Sequence, residues 1–340
     1  MNSVPAALAA CALLAALVAA ERACSRADDR DADRIERLVS PERIVGRTTA
    51  AFTIESGGSE LLYLRSKGLW RCREAYGAVC QTDLVESFLT QVVEARGALV
   101  CAGSDCAARA GLAADDGLRL TLHGSKVLTD PERDTFARIA FAPARADATF
   151  AEFVGTDRVL AIDRDPRAVL DASGRPAPLV DTRLLAGCFA PGFAGFERIF
   201  VDRGETSLEL SSDAPDEEGA ERTWQLTSQG SRQDAILWRV GGYVSLFVRL
   251  RWDRVEDPRS VAALGLDPPH ATITLAPNVG DPFEIRVSAP DAANRVHVWN
   301  RATNVVAAVR AELLPLLLPE PTDFTRIEGG NPWEAWLSPR

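Results

Sequence analysis

Two landmarks recur along this chain at one fixed spacing, and this recurrence restricts the fold more than any other feature. Trp70 and Trp224 each follow the turn of a predicted β-hairpin. Gly111 and Gly265 each open a Gly-Leu step that precedes a predicted strand. Both pairs are 154 residues apart, and self-similarity at a fixed spacing is typical of duplicated structural units. We therefore predict two related units in tandem.

The order of the predicted elements within each unit indicates an α+β fold. Apolar residues alternate on both sides of Gly57-Gly58 in "AAFTIESGGSELLYLRSKGLWRC", the pattern of two strands joined by a tight turn. We expect each unit to be a twisted, mostly antiparallel sheet with helices on one face. The predicted boundaries are 42–185 and 186–318. The tail, 319–340, is expected to form either a third hairpin or a segment that packs back on the body.

Three segments space their apolar residues as a helix does. "QTDLVESFLTQVVEARG" predicts a helix that begins near Thr82 and ends at Gly97. "DAILWRVGGYVSLFVRL" predicts the matching helix of the second unit, which its two central glycines could kink or break. "TNVVAAVRAELLPLLL" predicts a third helix with Thr303 as its N-cap. The predicted buried faces are Leu84, Val85, Phe88, Leu89, Val92 and Val93 in the first helix, and Ile236, Leu237, Val240, Val244, Phe247 and Val248 in the second.

The second Gly-Leu step continues into "GLDPP", and this turn has a structural explanation. Glycine permits the left-handed backbone conformation that ends a short helix, and proline prevents the helix from continuing. The alternating strand "ATITL" then begins. We assign structural roles to Trp70, Trp224, Gly111, Gly265, Leu266, Asp267, Pro268 and Pro269.

The N-terminus predicts export to an oxidising compartment. Residues 4–20 carry no charge, and a helix of that length rises about 25 Å, close to the roughly 30 Å hydrocarbon core of a bilayer. We expect residues 1–20 to be an uncleaved transmembrane signal anchor; a signal peptide cleaved before Glu21 is the alternative. The charged segment 21–41 is predicted to be a stalk. Both alternatives export the remaining chain.

The cysteines suit such a compartment, where disulfides persist. Cys72 and Cys80 bracket one short loop, and Cys101 and Cys106 bracket a turn. We predict a disulfide in each pair and a free thiol at Cys188. Zinc sites need paired short spacings, and the chain has no CxxC motif.

The chain lacks the sequence motifs of common enzyme classes. It has no GxSxG, GxxxxGK[ST] or GxGxxG motif in a suitable context, and its histidines are His123, His270 and His297. A net charge of −10 disfavours nucleic-acid binding. We therefore assign no catalytic, cofactor-binding or metal-ligating residue, and we expect a non-enzymatic protein without a cofactor.

The hairpin, tryptophan, helix and "GLDPP" followed by a strand resemble the bacterial domain of unknown function 4340 family, in two copies. The resemblance implies an anchored extracytoplasmic protein found beside ABC transporters of the gliding-motility type. We accordingly expect a single-pass inner-membrane protein with most of its chain in the periplasm. Its expected function is that of a binding or scaffold subunit of such an envelope complex, with an ABC-type permease and ATPase or other envelope proteins as partners. A membrane-anchored envelope hydrolase and a structural spacer without a ligand are the alternatives.

Overall fold

The protein forms two mostly antiparallel sheets with few helices, which confirms a sheet-rich α+β fold. The computed structural model describes residues 35–39, 48–112, 117–124, 134–143, 149–163, 165–170, 179–213, 223–328 and 330–334. Within these ranges no helix is both long and apolar enough to cross a membrane. The predicted anchor lies outside the described residues.

The chain divides into two compact units that interleave along the sequence. Of the described residues, those up to Arg65 and those from Asp83 to Leu170 belong to the first unit, and those of Ser66–Thr82 and from Leu179 onward belong to the second. The predicted boundary between 185 and 186 stays a prediction.

The first unit is built around one sheet and one principal helix. Its strands follow the order β1-β6-β10-β9-β8-β7-β2-β3. The helix buries Val85, Phe88, Leu89 and Val92 of its predicted face, whereas Leu84 and Val93 are only half-buried. The bounds are β1 Ile35–Arg37, β2 Ala51–Ser56, β3 Ser59–Ser66, α1 Thr82–Glu94, β6 Arg96–Ala102, α2 Cys106–Arg109, β7 Leu118–His123, β8 Thr135–Phe141, β9 Thr149–Phe153, β10 Arg158–Ile162 and a 3-10 helix at Pro166–Val169.

The predicted hairpin around Gly57-Gly58 is confirmed, but the predicted role of Gly97 is wrong. The two turn glycines have φ angles of 57° and 76°, which suit a two-residue hairpin turn. Helix α1 ends at Glu94, and Gly97 lies within β6. A Cβ atom at position 97 would lie 2.3 Å from the carbonyl oxygen of Ala161. Glycine is therefore required there by the close approach of β10.

The end of the predicted stalk belongs to the first sheet. Ile35–Arg37 pairs with β6, and Leu38 and Val39 are buried. The backbone N–H of Leu38 donates to the carbonyl of Ala95 at 2.9 Å. Leu38 and Val39 thus join a core, although Ile35 is exposed, and the high charge of the stretch 21–41 gave no sign of this burial.

The second unit contains the other sheet, which has nine described strands, and the described part of the tail. Its main strand order is β14-β13-β12-β11-β16-β17-β18-β19-β15. The bounds are β4 Leu69–Cys72, β5 Ala78–Val79, β11 Phe196–Asp202, β12 Ser207–Asp213, β13 Thr223–Ser228, β14 Ser231–Ala235, α3 Leu237–Arg249, β15 Arg254–Glu256, a 3-10 helix at Pro258–Ser260, β16 Ala271–Pro277, β17 Phe283–Val287, β18 Arg295–Asn300, β19 Val305–Arg310, a 3-10 helix at Ala311–Leu313, α4 Leu314–Leu317 and α5 Thr322–Thr325.

Helix α3 is continuous, although its predicted buried face is only partly correct. It runs through Gly241 and Gly242 without a break. The side chain of Asn331 explains the second glycine, because a Cβ atom on Gly242 would lie 2.5 Å from Asn331 Nδ2. Leu237 is 48% exposed. The buried residues are Arg239, Val240, Gly242, Tyr243, Leu246 and Phe247.

The third predicted helix is wrong over most of its length. Val305–Arg310 forms β19, which pairs with β18. Thr303 is not an N-cap: it lies buried in the turn before β19, and Asn304 there has a φ of 57°. β-branched valines favour strands, and only the 3-10 turn at Ala311–Leu313 and α4 beyond the strand are helical.

The tail packs back on the body, which was one of its two predicted arrangements. Phe324 and Trp333 are fully buried, and their rings lie 5.5 and 5.4 Å from that of Tyr243. Trp333 Nε1 donates to the carbonyl of Leu316 at 3.1 Å. The described tail is thus part of the second unit's core.

Corresponding strands of the two units have corresponding neighbours in their sheets. The order β6-β10-β9-β8-β7-β2-β3 in the first corresponds, strand for strand, to β15-β19-β18-β17-β16-β11-β12 in the second. Along the chain, β3 is followed by the antiparallel pair β4–β5, and β12 is followed by the antiparallel pair β13–β14. A 13-residue helix comes next in each case.

Candidate functional site

The first Gly-Leu step closes the short helix α2. Gly111 has a φ of 79°, and its N–H donates to the carbonyl of Ala108 at 3.1 Å. The N–H of the buried Leu112 reaches back to Ala107 at 3.0 Å. These two bonds form a Schellman motif, in which a left-handed residue ends a helix.

The second Gly-Leu step forms the same motif. Gly265 has a φ of 68° and donates to Ala262 at 3.2 Å, while Leu266 donates to Val261 at 2.9 Å. Leu266 is fully buried. The same four relative positions therefore make the same two bonds in both halves of the chain.

The two landmark tryptophans also occupy matching positions. Trp70 and Trp224 are each the second residue of a strand, β4 and β13, and both are buried. The N–H of Cys80 donates to the carbonyl of Trp70 at 2.8 Å, and Ala235 pairs with Trp224. In each case the next helix begins two residues after the pairing partner.

The "GLDPP" turn is tied to the face of the second sheet by Arg286. Asp267 Oδ1 accepts a hydrogen bond from Arg286 Nη1 at 2.9 Å. The same nitrogen donates to the carbonyl of Leu266 at 3.5 Å. Leu266 and Pro269 form an isolated bridge, and the Asp267–Pro268 peptide bond is cis. The turn predicted to be structural thus also positions a charged residue.

Arg286 belongs to a surface group that we call the Arg286–Trp299 cluster, defined as Asp267, Glu284, Arg286, Trp299 and Arg301. Arg286 and Trp299 are paired across β17 and β18. The guanidinium carbons of Arg286 and Arg301 lie 5.3 and 5.5 Å from the centre of the Trp299 ring, within cation–π range. Trp299 Nε1 donates to Asn304 Oδ1 at 3.2 Å, which fixes the orientation of the ring.

Glu284 holds the two arginines of the cluster together. Its Oε1 lies 2.7 Å from Arg286 Nε and 3.3 Å from Arg301 Nη1. Burial opposes ionisation of Glu284, but the hydrogen bonds and charges of the two arginines outweigh it and lower the pKa of this carboxyl. The hydrogen bond to Glu284 is also the main reason why the pKa of Arg286 is raised. Glu284 and Arg286 therefore both stay ionised at neutral pH.

The chemistry of this cluster suits protein recognition. Tryptophan and arginine are the residue types that most often dominate the energy of protein interfaces. Arg301 is about half exposed, and Trp299 is partly exposed. Sequence reasoning missed the cluster because it depends on strand register. The available signal was an arginine and a tryptophan at alternating positions of two neighbouring strands, "FEIRV" and "RVHVW".

The first unit has different chemistry at the matching strand positions. Ala140 and Glu152 are paired across β8 and β9 there, where the second unit has Arg286 and Trp299. Ala140 belongs to an apolar cluster that also contains Cys106, Ala110, Leu112, Ala142 and Val159. Residues of α2 and the following Gly-Leu step thus cover this face.

The predicted disulfide between Cys101 and Cys106 is confirmed, with a Cα–Cα distance of 5.8 Å. It joins the end of β6 to the start of α2. Cys106 is fully buried in the apolar cluster. The bond therefore fixes α2 on the face of the first sheet.

The predicted disulfide between Cys72 and Cys80 is wrong, because both thiols are free and buried. Cys72 pairs with Ala78, and the N–H of Cys80 bonds to Trp70. The two cysteines are thus diagonal neighbours, about 7–8 Å apart in an antiparallel pair, which is too far for a disulfide. Burial raises the pKa of Cys72 to about 11 and that of Cys80 still further.

Cys188 is free, as predicted. Its Sγ accepts a hydrogen bond from Asn300 Nδ2 at 3.1 Å. Burial raises the pKa of this thiol, although the bond from Asn300 partly opposes the effect. The thiol is therefore protonated and poorly nucleophilic at neutral pH.

Two of the three histidines have structural contacts. His123 lies between the hydroxyls of Thr53 and Thr135, at 3.1 and 3.2 Å, and desolvation lowers its pKa. His297 Nε2 lies 3.2 Å from Asp291 Oδ2. In the described part of the chain, no group of three or more His, Cys, Asp or Glu residues could hold a metal ion.

Three comparisons with known proteins gave no match. Neither protein-family models, nor curated proteins, nor solved structures match this chain.

Proposed function

We propose that this protein is a non-enzymatic, membrane-anchored periplasmic subunit that binds other envelope proteins through its second unit. Its partners in this proposal are the permease and ATPase of an ABC-transporter-like complex of the gliding-motility type. Residues 4–20 provide the inner-membrane anchor. The observation that carries the proposal is the Arg286–Trp299 cluster, an aromatic and cationic surface of the second sheet. In the first unit, apolar residues of α2 and the Gly-Leu step cover the matching face.

The Cys101–Cys106 disulfide supports the proposed location. Disulfides form and persist in the periplasm and are rare in the cytosol. This bond holds the apolar cover of the first unit in place, so the fold benefits from an oxidising compartment. An apolar, uncharged segment near the N-terminus is consistent with delivery there.

We also infer that the chain arose by internal duplication. The equal strand orders, the two Schellman motifs and the matching tryptophans all support this inference. A further correspondence extends the repeat toward its start. The N–H of Leu38 donates to the carbonyl of Ala95, and the N–H of Leu184 donates to the carbonyl of Leu250 at 2.8 Å. Each acceptor is the residue directly after the principal helix of its unit.

A pull-down from native membranes tests the proposed function. The full chain carrying an affinity tag would be solubilised in mild detergent and captured, and the co-purifying proteins would be identified by mass spectrometry. We expect an ABC-type permease and its ATPase in the wild-type sample. Trp299→Ala should reduce their recovery at least tenfold, because truncating a central aromatic residue at an interface costs about 2 kcal/mol.

A matched variant in the first unit controls this experiment. Phe150→Ala removes an aromatic residue from β9, the strand that corresponds to β18, and should leave partner recovery unchanged if the chain remains folded. Recovery of the tagged chain alone would contradict the proposal and favour a spacer. Equal recovery with wild type and Trp299→Ala would show that the cluster is not the binding surface.

A further inference from the structure

The terminal strand β14 gives the second sheet an accessible edge. Of the strands that the structure describes, none lies beyond β14 in the strand order. Its residues Ser231 to Asp234 are all exposed. A two-residue turn, Gln229-Gly230, joins it to β13, with φ angles of 49° and 77°. Edge strands of this kind can pair with a strand of another chain.

The hydrogen-bond alternation of a hairpin indicates which backbone groups face this edge. Ser228 and Ser231 flank the turn as a pair, so the backbone of Ser231 bonds to β13, and alternate residues point the other way. Arg232 and Asp234 therefore direct their backbone groups to the outer edge. Ile236 has the same parity, and its N–H indeed donates outward, to the carbonyl of Phe324 at 2.8 Å.

The same chain shows how such an edge is covered elsewhere. At β5, the N–H of Asp181 donates to the carbonyl of Val79 and the N–H of Gln81 donates to that of Leu179, both at 2.9 Å. An extended segment thus lies along this edge in antiparallel fashion. The bond from Ile236 to Phe324 corresponds to the bond from Gln81 to Leu179. At β14, the described tail supplies this one bond at the end of the strand.

We propose that two copies of this chain associate through β14, with the two strands antiparallel and Gln233 facing Gln233 across a two-fold axis. The sequence Ser-Arg-Gln-Asp-Ala is self-complementary in this register, because Arg232 of each copy lies opposite Asp234 of the other. Both residues have outward backbone groups, so the two pairs exchange four backbone hydrogen bonds. Each pair also joins opposite charges on one face of the sheet. A two-fold interface of this kind is the commonest form of protein dimer.

Leu237 and Trp238 provide apolar area at the end of this edge. Both are 48% exposed and directly follow β14 at the start of α3. The guanidinium carbon of Arg239 lies 4.7 Å from the Trp238 ring, and Arg239 Nη1 donates to the carbonyl of Asp323 at 2.9 Å. The ring is therefore held at the surface. In the proposed register, the Gln229-Gly230 turn of the second copy comes close to this end of β14.

Cysteine crosslinking tests the register directly. In the full chain purified in detergent, Gln233→Cys places two thiols across a non-hydrogen-bonded antiparallel pair, where Cα atoms are about 4.5 Å apart and a disulfide fits. Oxidation with diamide should convert most of this variant to a covalent dimer. Ser231→Cys is the matched control, because Ser231 lies opposite Ala235 of the second copy. It should crosslink no more than the wild-type chain, which has the partly exposed Cys188.

Charge reversal tests the pairing without cysteines. The wild-type chain should dimerise weakly, with a Kd on the order of 10–100 µM, as expected of a small interface. Arg232→Asp or Asp234→Arg alone should raise the Kd about tenfold, since each creates two like-charge pairs. The double variant R232D/D234R should restore the wild-type value within about twofold. Sedimentation that is unchanged by the single reversals, or Gln233→Cys crosslinking no more than Ser231→Cys, would overturn the proposal.

Discussion

The matching faces of the two sheets carry opposite chemistry on the same framework. In the first unit, Ala140 and α2 form an apolar cover that the Cys101–Cys106 disulfide holds in place. In the second unit, Arg286 and Trp299 form a partly exposed surface, and Arg286 is ion-paired with Glu284. A few outward positions therefore decide whether a strand framework is closed by packing or open to a partner, while the inward positions preserve the sheet.

The largest effect is expected where the first sheet is most tightly packed. Gly97→Ala should lower the free energy of unfolding by about 3 kcal/mol or more, because its Cβ atom would overlap the backbone of Ala161. Urea denaturation followed by circular dichroism measures the change. Gly241→Ala is the control: a Cβ atom there meets nothing within 4 Å, so this helical substitution should be neutral or stabilising. Similar losses in both variants would contradict the close approach of β6 and β10.

Removal of the disulfide should open the cover of the first unit. Cys101→Ala/Cys106→Ala should lower the free energy of unfolding by about 2 kcal/mol, the value expected for closing a short loop. Dithiothreitol should lower the urea midpoint of the wild-type chain to a similar extent and leave the double variant unaffected. A wild-type midpoint that does not respond to the reductant would show that the bond does not stabilise this face.

Paired glycine substitutions sharpen the comparison between the two Gly-Leu steps. Gly111→Ala and Gly265→Ala should each cost roughly 1 kcal/mol, since both residues have a left-handed φ that an alanine adopts only with strain. Thermal unfolding monitored by calorimetry would compare them. A cost at one position with none at the other would contradict the equivalence of the two motifs.

The smallest effects on stability should come from one glutamate on each face, Glu152 and Glu284, and they should have opposite signs. Burial and the nearby Asp157 raise the pKa of Glu152, whereas Arg286 and Arg301 lower that of Glu284 against the effect of burial. Ionised Glu152 therefore costs stability, which is recovered as the pH falls through its raised pKa. Ionised Glu284 adds stability, which is lost as the pH falls below the ordinary glutamate value of 4.5 through its lowered pKa.

The corresponding substitutions make this contrast measurable. At pH 7, Glu152→Gln should raise the free energy of unfolding and Glu284→Gln should lower it, each by less than about 1 kcal/mol. Both differences should shrink toward pH 3, where the carboxyls protonate. Urea unfolding at the two pH values provides the test, and equal signs at pH 7 would contradict the electrostatic contrast between the faces.

Local patterns in the sequence predicted more of the fold than of the site. The hairpin at Gly57-Gly58, helix α1 and the strands after "GLDPP" follow from alternation and helical spacing. The helix predicted after Thr303 is wrong because "VVAAV" is apolar in both periodicities, and only its pairing with β18 selects a strand. The prediction of a disulfide between Cys72 and Cys80 is wrong for a similar reason, because the register of β4 with β5 places Ala78, not Cys80, opposite Cys72.

The Arg286–Trp299 cluster lay beyond local patterns altogether. Its members come from a turn, two strands and the loop after them, and only the register of β17 with β18 brings Arg286 opposite Trp299. The "GLDPP" motif predicts a turn, but its contact with Arg286 depends on tertiary packing. The pairing of β1 with β6 and the burial of the tail likewise depend on non-local partners.

Site-specific photocrosslinking in native membranes tests the central claim, that the second unit carries the partner-binding face. Benzoylphenylalanine would be placed at Arg301, beside Trp299, and separately at Arg138, an exposed position on the corresponding part of the first sheet. We expect the variant labelled at 301 to crosslink to an envelope protein on irradiation and the variant labelled at 138 to give no such product. Crosslinks from 138 alone, or equal crosslinks from both positions, would contradict the account.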